Sequence, residues 1–532
     1  MIKRHSITLA IAGLALTSMA SSSIRVPYAE GEKWYGLATN LGTEMPFAPD
    51  STMVVDLRIQ DFNNQTSPLL LSNKGRYIWA EGPLKVWFDE SGVNVEAHRS
   101  EPSLSQAADA TLRGAYNEAS SRYFAPEGGI PPEEFFIRPI YNTWIELMYD
   151  QNQADILKYA RGIVDNGFPP GVLMIDDNWQ KDYGEWDFKT DRFPSPKEMV
   201  DTLHDLGFKV MLWVCPFVSP DSKEARDLHE KGYLVKAPDG EQMGILWWWN
   251  GYSACYDLSN PEAYSHLKSK FTDLQEKYGI DGFKMDAGDP ERYLSENIKV
   301  YDGKSFDTEQ TRLWAQLATE FPYNELRACW QMGNRQLVQR LGDKKYSWEG
   351  VAQLVPDMIS AGLLGHSYAC PDMIGGGEYS SFLDIDEDSF DAPLIIRSCQ
   401  IHAMMPMMQF SVAPWRILKP EQLAIVLDYA KKHCELGPYI VEMAQKTATD
   451  GTPIVRHMAY SFPEEGFEEV NDQYMLGDRY LVAPIMTPDN CRDVRLPKGT
   501  WVDDTGKKFK GGKTYRLENV PLERTPYYER IK

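Results

Sequence analysis

Between residues 136 and 440 the chain repeats one rhythm: a short apolar run, then a stretch with apolar residues at helical spacing. The apolar runs are IRPIYNTW, GVLMIDDNW, KVMLWVCP, DGFKMDAG, ELRACW, LVQRLGD, HSYACPDM and MPMMQFSV. Between most of them lie helical patterns such as QADILKYARGIVDNG, KEMVDTLHDLG and AYSHLKSKFTDLQEKYG. Repeated strand–helix units require a parallel sheet, because a parallel partner can only be reached by a crossover, and eight such units close on themselves. On either side the rhythm changes to short alternating runs broken by turn residues: MVVDLRI, YIWA, LKVWFD and VNVEAH before it, PIVRHMAY, YLVAPIM, DVRLPKGTWVD and KTYRLENV after it. Alternation of period two reads as antiparallel sheet. The expected fold class is therefore α/β: a (β/α)8, or TIM, barrel over 131–440 with an insertion after its third strand. Antiparallel β-sandwich domains flank it at 24–130 and 441–532.

The first residues, MIKRHSITLAIAGLALTSMASSS, combine a basic start, an apolar segment too short to span a bilayer and small residues at Ser18 and Ala20. That pattern predicts a secretory signal peptide over 1–23 and a secreted or periplasmic chain. A net charge of −22 repels phosphate backbones and anionic lipid, so neither nucleic acid nor a membrane is an expected partner. The seven cysteines are dispersed, odd in number and without a CxxC pair, which argues against a zinc site or a disulfide scaffold. His366 and His402 are isolated, so no metal and no cofactor is expected.

In a barrel of this kind the reactive groups sit where the strands end. Here the strand ends carry Trp144; Asp176, Asp177 and Trp179; Trp213; Lys284 and Asp286; Arg327; Arg340 and Asp343; and Asp372. Any single Asp after a strand is also a natural helix cap. Four strands ending in acid beside several aromatics point instead to a carbohydrate cleft, because indole faces pack on the apolar face of a pyranose. Two carboxyls across a glycosidic bond cleave it when one is held as an anion and the other supplies a proton. Lys284 lies two residues before Asp286 and so on the same face of the strand, placed to hold that anion and to reach a sugar hydroxyl.

The segment GFKMDAGD resembles the nucleophile segment of glycoside hydrolase family 31. The stretch from Arg327 to Asp343, RACWQMGNRQLVQRLGD, resembles the family's Arg…Gly-Asp stretch, and CPDMIGGG its later Asp-Ile-Gly-Gly element. This resemblance implies Asp286 as nucleophile and Asp343 as general acid/base. It also implies Arg327 as partner of the nucleophile or of a sugar hydroxyl, and Asp372 as a structural or sugar-orienting acid. Asp289 stands where the family more often has Glu. Two departures bear on the substrate. The usual Arg-x-His after the eighth strand is replaced here by a stretch carrying Gln409 and Ser411. The second strand ends in a double acid, Asp176-Asp177, that is able to grip an axial O4 and the O6 of galactose; alternatively Asp177 only caps the next segment. The stretch from DDNW to WWWNGYSACYDLSNPEA is most similar to an α-galactosidase-like branch of the family. The expectation is an exo-acting retaining α-galactosidase taking an oligosaccharide or glycoside, with Trp248 or Trp249 as a stacking wall and both β domains closing the pocket. The same site acting on α-glucosides, α-xylosides or α-N-acetylgalactosaminides, a transglycosylase, and an inactive glycan-binding protein remain the alternatives.

Overall fold

The structure is a computed structural model, and it describes residues 21–303, 307–383, 385 and 389–531. The signal-peptide reading falls mainly on residues 1–20, outside the described residues. Ser22 and Ser23, within the expected leader, begin a strand and pair with Ala97 and Glu96.

The central unit is a parallel barrel of eight short strands: β1 (Ile140–Asn142), β2 (Val172–Ile175), β3 (Lys209–Val214), β4 (Gly282–Met285), β5 (Tyr323–Leu326), β6 (Gln339–Arg340), β7 (Ala369–Cys370) and β8 (Gln409–Phe410). From β1 to β7 each pairs with its sequence neighbour, and β8 returns to β1 with Gln409 opposite Ile140. At the seam between β7 and β8 a backbone bond from Ile374 N to Gln409 O, 2.8 Å, takes the place of a ladder. Every residue of β2 and β4 is buried, as strands covered on both faces require.

The helices start where the sequence supplies caps. Asn152, Asn260, Ser347 and Asp391 each accept a backbone N–H in the first turn of the helices Gln153–Asp165, Pro261–Tyr278, Trp348–Leu363 and Ala392–Ala403. The helix Pro420–Asp450 runs well past residue 440 and ends at the left-handed Gly451. No helix among the described residues is long and apolar enough to cross a membrane.

The run ELRACW splits in two. Tyr323–Leu326 is barrel, whereas Cys329–Trp330 leaves it and pairs in parallel with Gln65–Thr66 of the N-terminal sandwich. That sandwich consists of one sheet around Leu84–Asp89 and Gly92–Ala97 and a second around Gln65–Ser72, with the helix Leu112–Tyr123 after its last strand. The C-terminal domain holds a six-stranded sheet from Val455–Arg456 to Tyr527–Arg530 and a hairpin of Arg492–Leu496 with Lys513–Leu517. The insertion after β3 folds as three antiparallel strands, Phe217–Val218, Leu246–Trp248 and Gly251–Cys255.

Candidate active site

A cavity of about 840 Å³ opens at the C-terminal ends of the barrel strands. Trp144, Asp176, Asp177, Trp213, Trp249, Lys284, Asp286, Arg327, Arg340 and Asp343 all line it. The chain supplies these residues from the ends of β1 to β6 and, for Trp249, from the insertion after β3.

Asp286 follows β4 and is buried. Its Oδ1 accepts from Arg327 Nε at 3.0 Å and from the Ala287 amide at 2.8 Å; its Oδ2 accepts from Trp213 Nε1 at 2.9 Å. Burial alone would push this carboxyl up. Arg327, then Lys284 and Arg340, together with the indole N–H, overcome that and hold it well below the usual carboxylate range. Asp289 answers for the geometry of Arg327: its two oxygens take Nη1 and Nη2, each at 2.9 Å, in a bidentate pair.

Lys284 sits differently from the sequence reading. Its Nζ donates to Asp176 Oδ2 at 2.7 Å and stands 3.9 Å from Asp286 Oδ2. It is first the partner of Asp176 and only second a cation beside Asp286. Burial works against its charge, but Asp176 ahead of the other acids keeps its pKa above the ordinary lysine value.

On the other side, Asp343 Oδ1 accepts from Arg340 Nη1 at 2.6 Å, and the same nitrogen reaches Asp372 Oδ1 at 3.3 Å. The side chain of Asp343 is 30% exposed to the cavity. Asp372 is fully buried behind it, and its Oδ2 takes the amides of Lys344 (2.7 Å) and Gly377 (3.0 Å). Burial, then the charge of Asp343, push the Asp372 carboxyl up. Gly377, last of the GGG run, is required here: a Cβ would lie 2.7 Å from both Asp343 Oδ1 and Asp372 Oδ1. Asp372 therefore braces the site rather than facing a sugar.

Asp177 lines the cavity with both oxygens engaged, Oδ1 by Gln180 Nε2 (2.9 Å) and the Asn178 amide (2.7 Å), Oδ2 by the Tyr183 hydroxyl (2.8 Å). Burial pushes it up to about 6. It is an oriented acceptor, and its bond to the next amide adds the local turn role as well.

Two tryptophans expected in the cleft are core residues. Trp179 is fully buried and donates to Trp213 O at 2.8 Å. Trp248 is 1% exposed, donates to Ser253 Oγ at 3.0 Å and stacks on Phe217. Successive strand residues face opposite ways, so its neighbours point outward instead: Trp247 is 53% and Trp249 44% exposed, and both line the cavity. Arg327 lies over the Trp249 ring and Arg292 over Trp247.

Other groups were not read from the sequence. Glu325 on β5 is wholly buried below the cavity, accepts from Gln409 Nε2 at 2.7 Å and faces Arg340 Nε at 3.7 Å. Its signal is its position two residues before Arg327 on the same strand face. Gln409 is thus spent inside the barrel, and Ser411 Oγ accepts the Ile145 amide. Asn40 and residues 61–64 of the N-terminal sandwich wall the cavity, while no described residue of the C-terminal domain does, so among the described residues one β domain closes it and not two. Asp61, Asp289 and Glu291 bring carboxylate oxygens within 4.8 Å of one another, the spacing of a cation site. Arg327 on Asp289 and Arg292 on Asp61 and Glu291 already pair with them. The two ring nitrogens of His402 lie against the carbonyl oxygens of Ser398 and Asp372, one of which takes its single N–H, whereas His366 Nε2 is buried without a hydrogen-bond partner among the described residues.

Buried carboxyls and guanidinium groups gather where the strands of a parallel eight-stranded barrel end, the face on which barrel enzymes carry their sites. Residues 141–443 match the TIM-barrel domain of glycosyl hydrolases family 31, and residues 451–531 match the family's C-terminal domain. The chain belongs to glycoside hydrolase family 31. It is 32% identical over 397 residues to the myogenesis-regulating glycosidase of Mus musculus, covering 73% of this chain and 55% of that one. An α-xylosidase of Emericella nidulans is 27% identical over 533 residues, covering 91% and 64%. The chain thus spans about half to two thirds of the length of these relatives. The solved α-xylosidase from a soil metagenome, complexed with xylose, shares the fold with a TM-score of 0.84 at 22% identity, over 96% of this chain and 79% of that one.

Proposed function

We propose that the protein is an exo-acting retaining α-glycosidase in which Asp286 is the nucleophile and Asp343 the acid/base. The observation that carries this reading is the encasement of Asp286 by Arg327, Lys284 and Trp213 in one cavity with a part-exposed Asp343. A carboxyl kept ionised inside a protein has lone pairs free of protons and aimed at the cavity. Asp286 attacks the anomeric carbon and forms a β-linked glycosyl-enzyme while Asp343 protonates the departing oxygen. Asp343 then takes a proton from water, which attacks the same carbon from the opposite face; the bond to Asp286 breaks, freeing its carboxylate and leaving the sugar in the α configuration.

For the sugar, our reading is terminal α-galactose. Two adjacent oriented acids, Asp176 and Asp177, face the cavity, and the glucose-type Arg-x-His after the eighth strand is replaced by a stretch carrying Gln409 and Ser411. A second reading, α-xylose, is favoured by the α-xylosidases among the relatives. A panel of aryl α-glycosides tests both. Turnover of the galactoside well above the xyloside and glucoside supports the first reading, and the reverse order replaces it with the second. Absence of turnover on every α-glycoside, with sugar binding retained, would leave a glycan-binding protein.

A further inference from the structure

The strand that presents Arg327, the guanidinium holding Asp286, and the strand that presents Asp343 are poorly tied to each other. β5 and β6 share a single paired position, Leu326 with Gln339. No helix joins them; the connection runs out to the sandwich instead. Arg327, which holds Asp286, follows β5, and Asp343 follows β6, so their relative placement needs another support.

Resting on the reading above, the geometry points to Asn63-Asn64-Gln65 of the N-terminal sandwich as a positioning clamp that sets Asp286 and Asp343 against each other. Each residue has a distinct target. Asn63, held at a left-handed φ of +53° that Asn tolerates, accepts from Arg327 Nη1, the guanidinium that grips Asp286. Asn64 Oδ1 accepts the Gly342 amide at 2.8 Å, one residue before Asp343. A Cβ on Gly342 would lie 2.5 Å from Asn64 Nδ2 and 2.6 Å from Asn63 O, so this backbone rests directly on the clamp. Gln65 Nε2 reaches Arg327 O at 2.8 Å, Gln339 Oε1 at 3.0 Å and Arg340 O at 3.2 Å, lacing the ends of β5 and β6 together. Thr39 Oγ1 fixes the amide by donating to Gln65 Oε1 at 3.0 Å. Gln65 is fully buried and outside the cavity lining, so it acts only through what it holds.

The two halves of the clamp separate by leaving group. A dinitrophenyl α-glycoside leaves without a proton, and a methyl α-glycoside does not. Displacing a reacting group by ~1 Å costs up to about 100-fold. Asn64→Ala should therefore lower kcat/KM on the methyl glycoside about tenfold or more and change the dinitrophenyl glycoside less than about twofold. Asn63→Ala should lower both in parallel, and Gln65→Ala should lower both with the larger loss on the methyl glycoside. Ser360→Ala removes another bond between barrel and sandwich, Ser360 Oγ to Ala38 O at 3.1 Å, and should move neither substrate. Thermal unfolding of each variant establishes that it is folded; if Gln65→Ala does not fold, Asn63→Ala and Asn64→Ala carry the test. Equal losses on both glycosides for Asn64→Ala, or changes confined to KM, would overturn the clamp while leaving the glycosidase reading intact. A wild-type protein that cleaves neither glycoside would overturn both.

Discussion

The two sides of the cavity solve opposite problems with the same residue types. Around Asp286 the donors crowd the sides away from the cavity: a guanidinium, an indole N–H and a backbone amide on its oxygens, an ammonium nearby. Around Asp343 one guanidinium nitrogen is divided between two carboxyls, and the side chain opens to the cavity. A closed, cation-rich cage favours an anion, whereas Asp343 stands open to the cavity, where a substrate oxygen and a water can reach it. The lesson is that function here is set by what surrounds each Asp, since the two side chains are chemically identical.

Asp286→Asn gives the largest expected effect, a loss of turnover on the order of 10⁴–10⁶-fold on every substrate, as for a removed nucleophile. Retained activity would erase the contrast. Asp343→Asn should cost about 10²–10⁴-fold on a methyl glycoside while sparing the first step with a dinitrophenyl glycoside. If both substrates fall together, Asp343 is no proton donor. Arg327→Met removes the main cation of the cage. The carboxylate form of Asp286 is the active one, and loss of the cation raises its pKa. The acidic limb of kcat/KM should therefore move to higher pH, with activity lost first at low pH. A profile that keeps its acidic limb would show that the cage does not hold the anion. The smallest pair separates core from cleft. Trp248→Phe should lower stability by about 1 kcal/mol through its lost bond to Ser253, with kinetics unchanged. Trp249→Phe should raise KM at unchanged stability.

Much of this was legible from spacing alone. Alternation of apolar runs and helical patterns is a local property, and it locates all eight barrel strands because each needs only its own residues to declare itself. The clustering of Asp176, Asp286 and Asp343 follows from the fold, which puts strand ends together. What escaped depends on contacts between distant segments. Nothing in the local pattern around Asp289 tells that it grips Arg327, or that Lys284 leans toward Asp176. The role of residues 63–65 is invisible for the same reason, since a different domain supplies them. Trp248 is another kind of miss: the period of two within WWW already separates it from Trp247 and Trp249. Trp179 turns inward after Asn178, whose left-handed φ of +81° falls just past the acids.

The central claim is that Asp286 forms a bond to the sugar. A fluorinated α-glycosyl fluoride, which forms the glycosyl-enzyme faster than it releases it, followed by peptide mass analysis, tests this directly. The account predicts one sugar mass on the peptide carrying Asp286. Label on Asp343 or on any other residue, or steady turnover of substrate with no label at all, would contradict it.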